Sequence, residues 1–123
     1  MQFTESQAIY LQIAKMMEEK ILRREWTAEM RIPSVRDLAV SMEVNPNTAV
    51  RAYETLQQKN VIYNKRGIGY FVSENAYPIV KKEWKKSFEA QELPDFFRKI
   101  ALLDFSMEEI AALYANYELE IKN

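Results

Sequence analysis

Apolar residues return at helical spacing from the start of the chain. Ile9, Ile13, Met17 and Ile21 form one stripe, Tyr10 and Ala14 widen it, and Lys15, Glu18, Glu19 and Arg23 lie off it. That pattern predicts an amphipathic helix from Ala8 to about Arg24, ending near Glu25-Trp26-Thr27. Arg31-Ile32 is expected to be a short extended piece, because the residue before Pro33 is pushed out of the helical region. Ser34 then offers an N-cap with Asp37 three residues on, and Val35, Leu38, Ala39 and Met42 make the apolar face of a short second helix. Asn45-Pro46 restarts the chain almost at once, Asn as a cap and Pro at the first helical position. A third helix is predicted from Pro46 to about Lys59. Ala49, Ala52, Tyr53 and Leu56 point one way; Asn47, Val50, Arg51 and Glu54 occupy the other face.

The period then changes. Val61-Ile62-Tyr63 and Tyr70-Phe71-Val72 are β-branched and aromatic, and Asn64-Lys65-Arg66-Gly67-Ile68-Gly69 between them is turn-like and basic, which reads as a β-hairpin. After Ser73 the spacing is helical again. Tyr77, Val80, Trp84 and Phe88 form one stripe, with Lys81, Lys82, Lys85 and Lys86 on a solvated face. Leu93, Phe96, Phe97, Ile100 and Ala101 form a second stripe beside Pro94. Ser106 and Glu109 make a capping box for a last helix carrying Ile110, Leu113, Tyr114 and Tyr117. Both glycines of the chain, Gly67 and Gly69, sit in the hairpin turn, so the sequence predicts a mostly helical chain with one place of unusual backbone.

Composition removes chemistry more than it adds it. The 123 residues include no Cys and no His, which excludes thiolate sites, thiol nucleophiles, histidine acid–base catalysis and a Ser-His-Asp triad. A metal would have only carboxylates or carbonyls to bind, and no metal site or cofactor is expected. The longest apolar run, Ile110 to Ala115, is far short of the roughly 20 residues needed to span a bilayer. Met1-Gln2-Phe3-Thr4-Glu5 shows no basic and apolar leader, so no secretory signal and a cytoplasmic location are expected. The net charge of −1 conceals an asymmetry: residues 31–73 hold six basic side chains to three acidic ones, whereas residues 74–123 hold seven to ten.

A short helix followed directly by a newly capped helix is a helix-turn-helix, and a hairpin after it makes the winged form. The second helix of such a pair fits the DNA major groove, provided that its outer side is polar and its inner side apolar. The third helix here divides that way. The hairpin tip adds Lys65 and Arg66 beside two glycines, a loop that can approach a phosphate or the minor groove closely. The aromatic surplus after residue 73 exceeds what a short helical segment can hide, and so predicts a subunit interface through Trp84, Phe88, Phe96, Phe97, Ile100, Tyr114 and Tyr117.

These same residues resemble a known family. Ile9-Tyr10-Leu11-Gln12-Ile13, the run Ile32-Pro33-Ser34-Val35-Arg36-Asp37-Leu38-Ala39 and the hairpin Arg66-Gly67-Ile68-Gly69-Tyr70-Phe71-Val72 look like the GntR family of bacterial transcription regulators. Val44-Asn45-Pro46-Asn47-Thr48 with Arg51-Ala52-Tyr53, and the short helical C-terminal segment, resemble its YtrA-like branch. The resemblance implies a winged helix-turn-helix domain over 1–73 and a helical dimerisation segment over 74–123. It also implies a homodimer on a palindromic double-stranded DNA operator, acting as a repressor, and leaves a small-molecule effector open. Carried over by position, Arg36 matches a DNA-contacting arginine, Asn47, Thr48 and Arg51 match contacts of the recognition helix, and Gly67 and Gly69 match the wing tip. The family often has basic residues where Pro46 and Val50 stand, and glycine where Glu43 stands. A left-handed Glu43 would cost about 1 kcal/mol.

Two other classes compete. A winged helix can serve as a protein-binding module without DNA binding, but that use favours an exposed apolar face on the third helix, where this chain carries arginine. An enzyme built on paired carboxylates would have to use Glu108-Glu109 or Glu118 and Glu120, which sit at a cap and near the chain end with no phosphate-binding loop nearby.

Overall fold

The computed structural model describes residue 3 and residues 7–122; most of the Met1–Glu5 stretch, on which the expected absence of a secretory signal rests, lies outside the described residues. The order of elements is α1 (Ile9–Leu22), α2 (Val35–Met42), α3 (Pro46–Gln58), β1 (Ile62–Lys65), β2 (Gly69–Val72), α4 (Ala76–Ser87), α5 (Leu93–Leu102) and α6 (Met107–Lys122). The strands pair antiparallel, with Ile62 opposite Val72 and Lys65 opposite Gly69. The fold is therefore mainly helical with a two-stranded wing.

The chain packs as two units, Met1–Trp84 and Lys85–Asn123. In the first, Ile13, Met17 and Ile21 of α1, Leu38 and Ala39 of α2, and Ala49, Ala52, Tyr53 and Leu56 of α3 close one core. Each fully buried aliphatic side chain contributes on the order of 2 kcal/mol of apolar burial. Ile9, at the open end of the α1 stripe, is 44% exposed, whereas Glu18, which the periodicity leaves outside, is buried. Packing also continues past residue 73: Ala76 and Val80 of α4 are buried in this core.

The caps explain where the helices begin. The Ser34 Oγ accepts the Asp37 N–H at 3.0 Å, and the Asn45 Oδ1 accepts the Asn47 N–H at 2.8 Å. At α6 the box is reciprocal, Ser106 Oγ accepting from the Glu109 N–H and Glu109 Oε1 from the Ser106 N–H. Unusual backbone is not confined to the glycines as expected. Arg24, Glu29, Glu43, Asn60 and Asp104 all have φ between +54° and +66°. Four of them follow helix ends, where a left-handed residue lets the next N–H groups satisfy the last carbonyls. With two glycines in the chain, residues bearing side chains take these positions at a steric cost.

In the second unit a π-helical turn, Phe88–Glu92, leads into α5, with Pro94 in the first turn of that helix. Proline has no N–H to give, and a wider turn just before it accommodates the missing bond. Neither α5 nor α6 has a buried residue.

Candidate nucleic-acid interface

The Ser34 cap sets the start of α2 and puts Arg36 in its first turn, exposed. Glu43 then turns the chain with φ 54° and ψ 46°, its N–H bonding the Val40 carbonyl and the Val44 N–H bonding the Ala39 carbonyl. Only two residues later, the Asn45 cap and Pro46 launch α3. The first two turns of α3 carry Asn47 and Arg51 exposed and Thr48 half-buried, while Ala49, Ala52 and Tyr53 face inward. The Tyr53 hydroxyl donates to the Pro33 carbonyl at 2.6 Å, which ties α3 to the lead-in of α2. Burial first, then the neighbouring Tyr70 and Asp37, push the Tyr53 phenol well above its usual range. Its ring also meets Tyr70 edge to face, with centroids 4.8 Å apart, so one side chain of α3 holds both the partner helix and the hairpin.

The wing presents Lys65, Arg66, Gly67 and Ile68 exposed at its tip. Tyr63 and Phe71 stack at 5.8 Å, and the Lys65 ammonium lies 5.1 Å from the Phe71 centroid. Gly67 has φ +81°, a conformation that favours glycine, and faces open space.

The cations of this face are exposed and stand clear of the unit's ion pairs. Among the described residues, Arg36, Arg51, Lys65 and Arg66 form no salt bridge, nor do Lys15, Arg24, Lys81 and Lys82 elsewhere in the unit, whereas Lys20, Arg23 and Lys59 each pair with a carboxylate. A surface cation without a carboxylate partner can exchange its counter-ions for a polyanion without first breaking an ion pair.

The sequence pattern does not predict the contacts of three residues that hold this unit together, Tyr10, Arg31 and Glu18. Tyr10, read as widening the α1 stripe, lies under Arg51, with the guanidinium carbon 4.0 Å from the ring centroid. Arg31 reaches the wing: its Nη2 donates to the Ile68 carbonyl at 2.6 Å. The only sequence signal for that is the extended conformation before Pro33, which says nothing about which strand it meets. Buried Glu18 accepts from the Trp84 indole N–H at 3.2 Å and pairs with the Lys59 Nζ at 3.5 Å; Lys59 also binds Glu83 at 2.5 Å. Burial opposes the charge on Lys59, but its bonds to Glu83 and Glu18 outweigh it and raise the pKa. Trp84, counted by sequence with the interface aromatics, is half-buried in this network. Phe88, Phe96, Phe97, Tyr114 and Tyr117 are 40–59% exposed, and Ile100 is half-buried.

Comparison with known proteins gives a consistent answer. Residues 9–72 match the sequence model described as bacterial regulatory proteins, gntR family. The HTH-type transcriptional regulator YhcF of Bacillus subtilis is 33% identical over 109 residues, covering 89% of this chain and 88% of YhcF. The HTH-type transcriptional repressor YtrA of the same organism is 41% identical over 71 residues, 58% of this chain and 55% of YtrA. Among solved structures, a GntR-family protein from Bacteroides thetaiotaomicron is 43% identical with a TM-score of 0.71, covering 94% of this chain and all of that one. A GntR family transcriptional regulator from Listeria monocytogenes is 30% identical with a TM-score of 0.74, covering 93% of this chain and 98% of that one.

Proposed function

Because the chain belongs to the GntR family of bacterial regulatory proteins, and so is a DNA-binding transcriptional regulator, we propose that it is a repressor that binds a palindromic operator as a homodimer. The observation that carries the reading is the placement of exposed cations, Arg36 on α2, Arg51 on the outer side of α3 and Lys65 and Arg66 at the wing tip, on the elements of a winged helix-turn-helix. In this reading, Arg51 and Asn47 project from α3 toward base edges with Thr48 beside them. Arg36 holds a phosphate, and Lys65 and Arg66 contact the backbone at the wing, where Gly67 and Gly69 permit close approach. The named repressor activity of YtrA supports the sign of regulation. A regulator of bacterial DNA works in the cytoplasm, and no helix among the described residues is long and apolar enough to cross a membrane.

In this reading residues 1–73 bind DNA, the part of α4 up to Trp84 packs on that unit's core, and the rest of 74–123, from Lys85 on, serves dimerisation. The second unit exposes Phe88, Phe96, Phe97, Tyr114 and Tyr117 and buries nothing in α5 or α6. An apolar surface of that kind is stable in water when a second copy covers it. Trp84, with its N–H already bonded to Glu18, belongs to the anchoring of α4.

The test is selection of binding sites from random duplex DNA with the full chain, with light scattering on the same sample. A dyad with half-site centres about 10 bp apart is expected, together with a dimer mass at micromolar concentration and affinity falling steeply between about 50 and 200 mM salt. A motif without two-fold symmetry, or a monomer mass, refutes the reading.

A further inference from the structure

Arg31 lies outside both helices of the helix-turn-helix and outside both strands of the hairpin, yet it is built into the hairpin. Its backbone bridges to Phe71. Around it the Ile32 N–H bonds the Tyr70 carbonyl at 3.0 Å, the Val72 N–H bonds the Met30 carbonyl at 2.9 Å, and the Glu29 N–H bonds the Val72 carbonyl at 2.8 Å. Residues 29–32 therefore line β2 as a short third edge, which aims the Arg31 side chain along the wing toward its tip.

Two independent features meet at the end of that side chain. The Nη2 donates to the Ile68 carbonyl at 2.6 Å. Gly69, the next residue, has φ +145°, and a Cβ there would stand 3.1 Å from Arg31 Nε and 3.3 Å from Nη2. The second glycine of the wing thus leaves space for the guanidinium as well as supplying its own backbone conformation. The tip is otherwise lightly held. The Ile68 N–H closes the turn on the Lys65 carbonyl at 2.9 Å, and no heavy atom lies within 4 Å of where a Cβ would stand at Gly67. Two strands of four residues are marginal without outside support.

We propose that Arg31 is the positioning residue of the wing. By fixing the Ile68–Gly69 peptide it orders the turn that carries Lys65 and Arg66, so these two cations meet DNA with less conformational entropy left to lose. The inference rests on the reading of the wing as a DNA contact.

The experiment compares full-length Arg31→Met, the pair Lys65→Ala/Arg66→Ala, and all three changes together. It measures amide hydrogen exchange in the free protein and affinity for the selected operator. Methionine spans similar length but donates no hydrogen bond, and Arg31 is exposed, so the fold should persist; the thermal midpoint checks this. Arg31→Met should speed exchange at the Ile68, Gly69 and Tyr70 amides. It should weaken operator binding about fivefold in the native wing, and by less than about twofold where Lys65 and Arg66 are already gone. Equal losses in both backgrounds would show that Arg31 touches DNA by itself and overturn the proposal, as would unchanged wing exchange. If Lys65→Ala/Arg66→Ala alone leaves affinity intact, the wing reading fails, and hydrogen exchange still decides whether Arg31 orders the turn.

Discussion

Arg51 and Arg36 are both exposed arginines on adjacent helices, and the proposed function gives them different work. Arg51 lies one turn after Asn47 on α3, its guanidinium against the Tyr10 ring. A stacked guanidinium keeps its hydrogen-bonding edge free and loses less freedom on binding. A bidentate bond from it to guanine O6 and N7 would be worth about 1–3 kcal/mol of discrimination. Arg51→Ala should therefore relax the preference at one base pair per half-site in a selection from random DNA. Tyr10→Leu should reproduce part of that change. Arg36→Ala should weaken all sequences alike and lower the salt slope by about one for each phosphate that is no longer neutralised. A motif altered by Arg36→Ala and untouched by Arg51→Ala reverses the assignment. Glu43 gives a second prediction at this scale. Its left-handed backbone, φ 54°, carries a Cβ penalty that glycine lacks. Glu43→Gly should raise stability by about 0.5–1 kcal/mol, the strain relief exceeding the extra entropy of the unfolded chain. A lower urea midpoint would contradict it.

At the scale of elements, α1, α3 and α4 are joined by one polar knot inside an apolar core. Glu18 is 2% exposed and takes a bond from Trp84 on α4 and an ion pair from Lys59 at the end of α3. Removing a buried partner leaves the others unsatisfied, which costs more than the pair itself contributes. Glu18→Ala should destabilise the chain by about 2–3 kcal/mol, and its thermal transition should fall accordingly. A change below about 0.5 kcal/mol, the size usual for surface substitutions, would show that the knot is dispensable.

For the whole molecule, the proposed function rests on two surfaces: the exposed cations of the first unit and the exposed aromatics of the second. Phe97, half exposed on α5, should lie at the centre of the proposed subunit contact. Phe97→Asp should yield a monomer by light scattering. Operator binding should drop at least about a hundredfold, because two half-sites no longer share one effective concentration; retention of dimer mass would sink the assignment. Stability should be insensitive to pH in the range where histidine titrates, since the chain has none. The alkaline side differs. Tyr53 and Lys59 both have folded-state pKa values above their ordinary ones. Their contributions are complete below the unfolded values of about 10 and disappear as pH rises beyond them. The urea midpoint should hold up to about pH 9 and fall above about pH 10, with a smaller fall in Tyr53→Phe. A midpoint that stays level to about pH 11 would refute this.

Local chemistry made most of the fold legible from the chain alone. The Ser34, Asn45 and Ser106 caps, the apolar face of α3 and the change of period at Val61 each act within a few residues, so their consequences follow from neighbouring positions. The polar outer face of α3 and the cationic hairpin tip were readable for the same reason. Glu18, Tyr10 and Arg31 were not. Glu18 is buried because Lys59 and Trp84, 41 and 66 residues further on, neutralise and bond it. Tyr10 meets Arg51, and Arg31 meets Ile68, only after α1, α3 and the hairpin have closed around a common core. Periodicity assigns a side chain to a face of its own element. Which partner waits across that face is set by packing between distant segments, and here that packing decides how Arg51 and the wing are held.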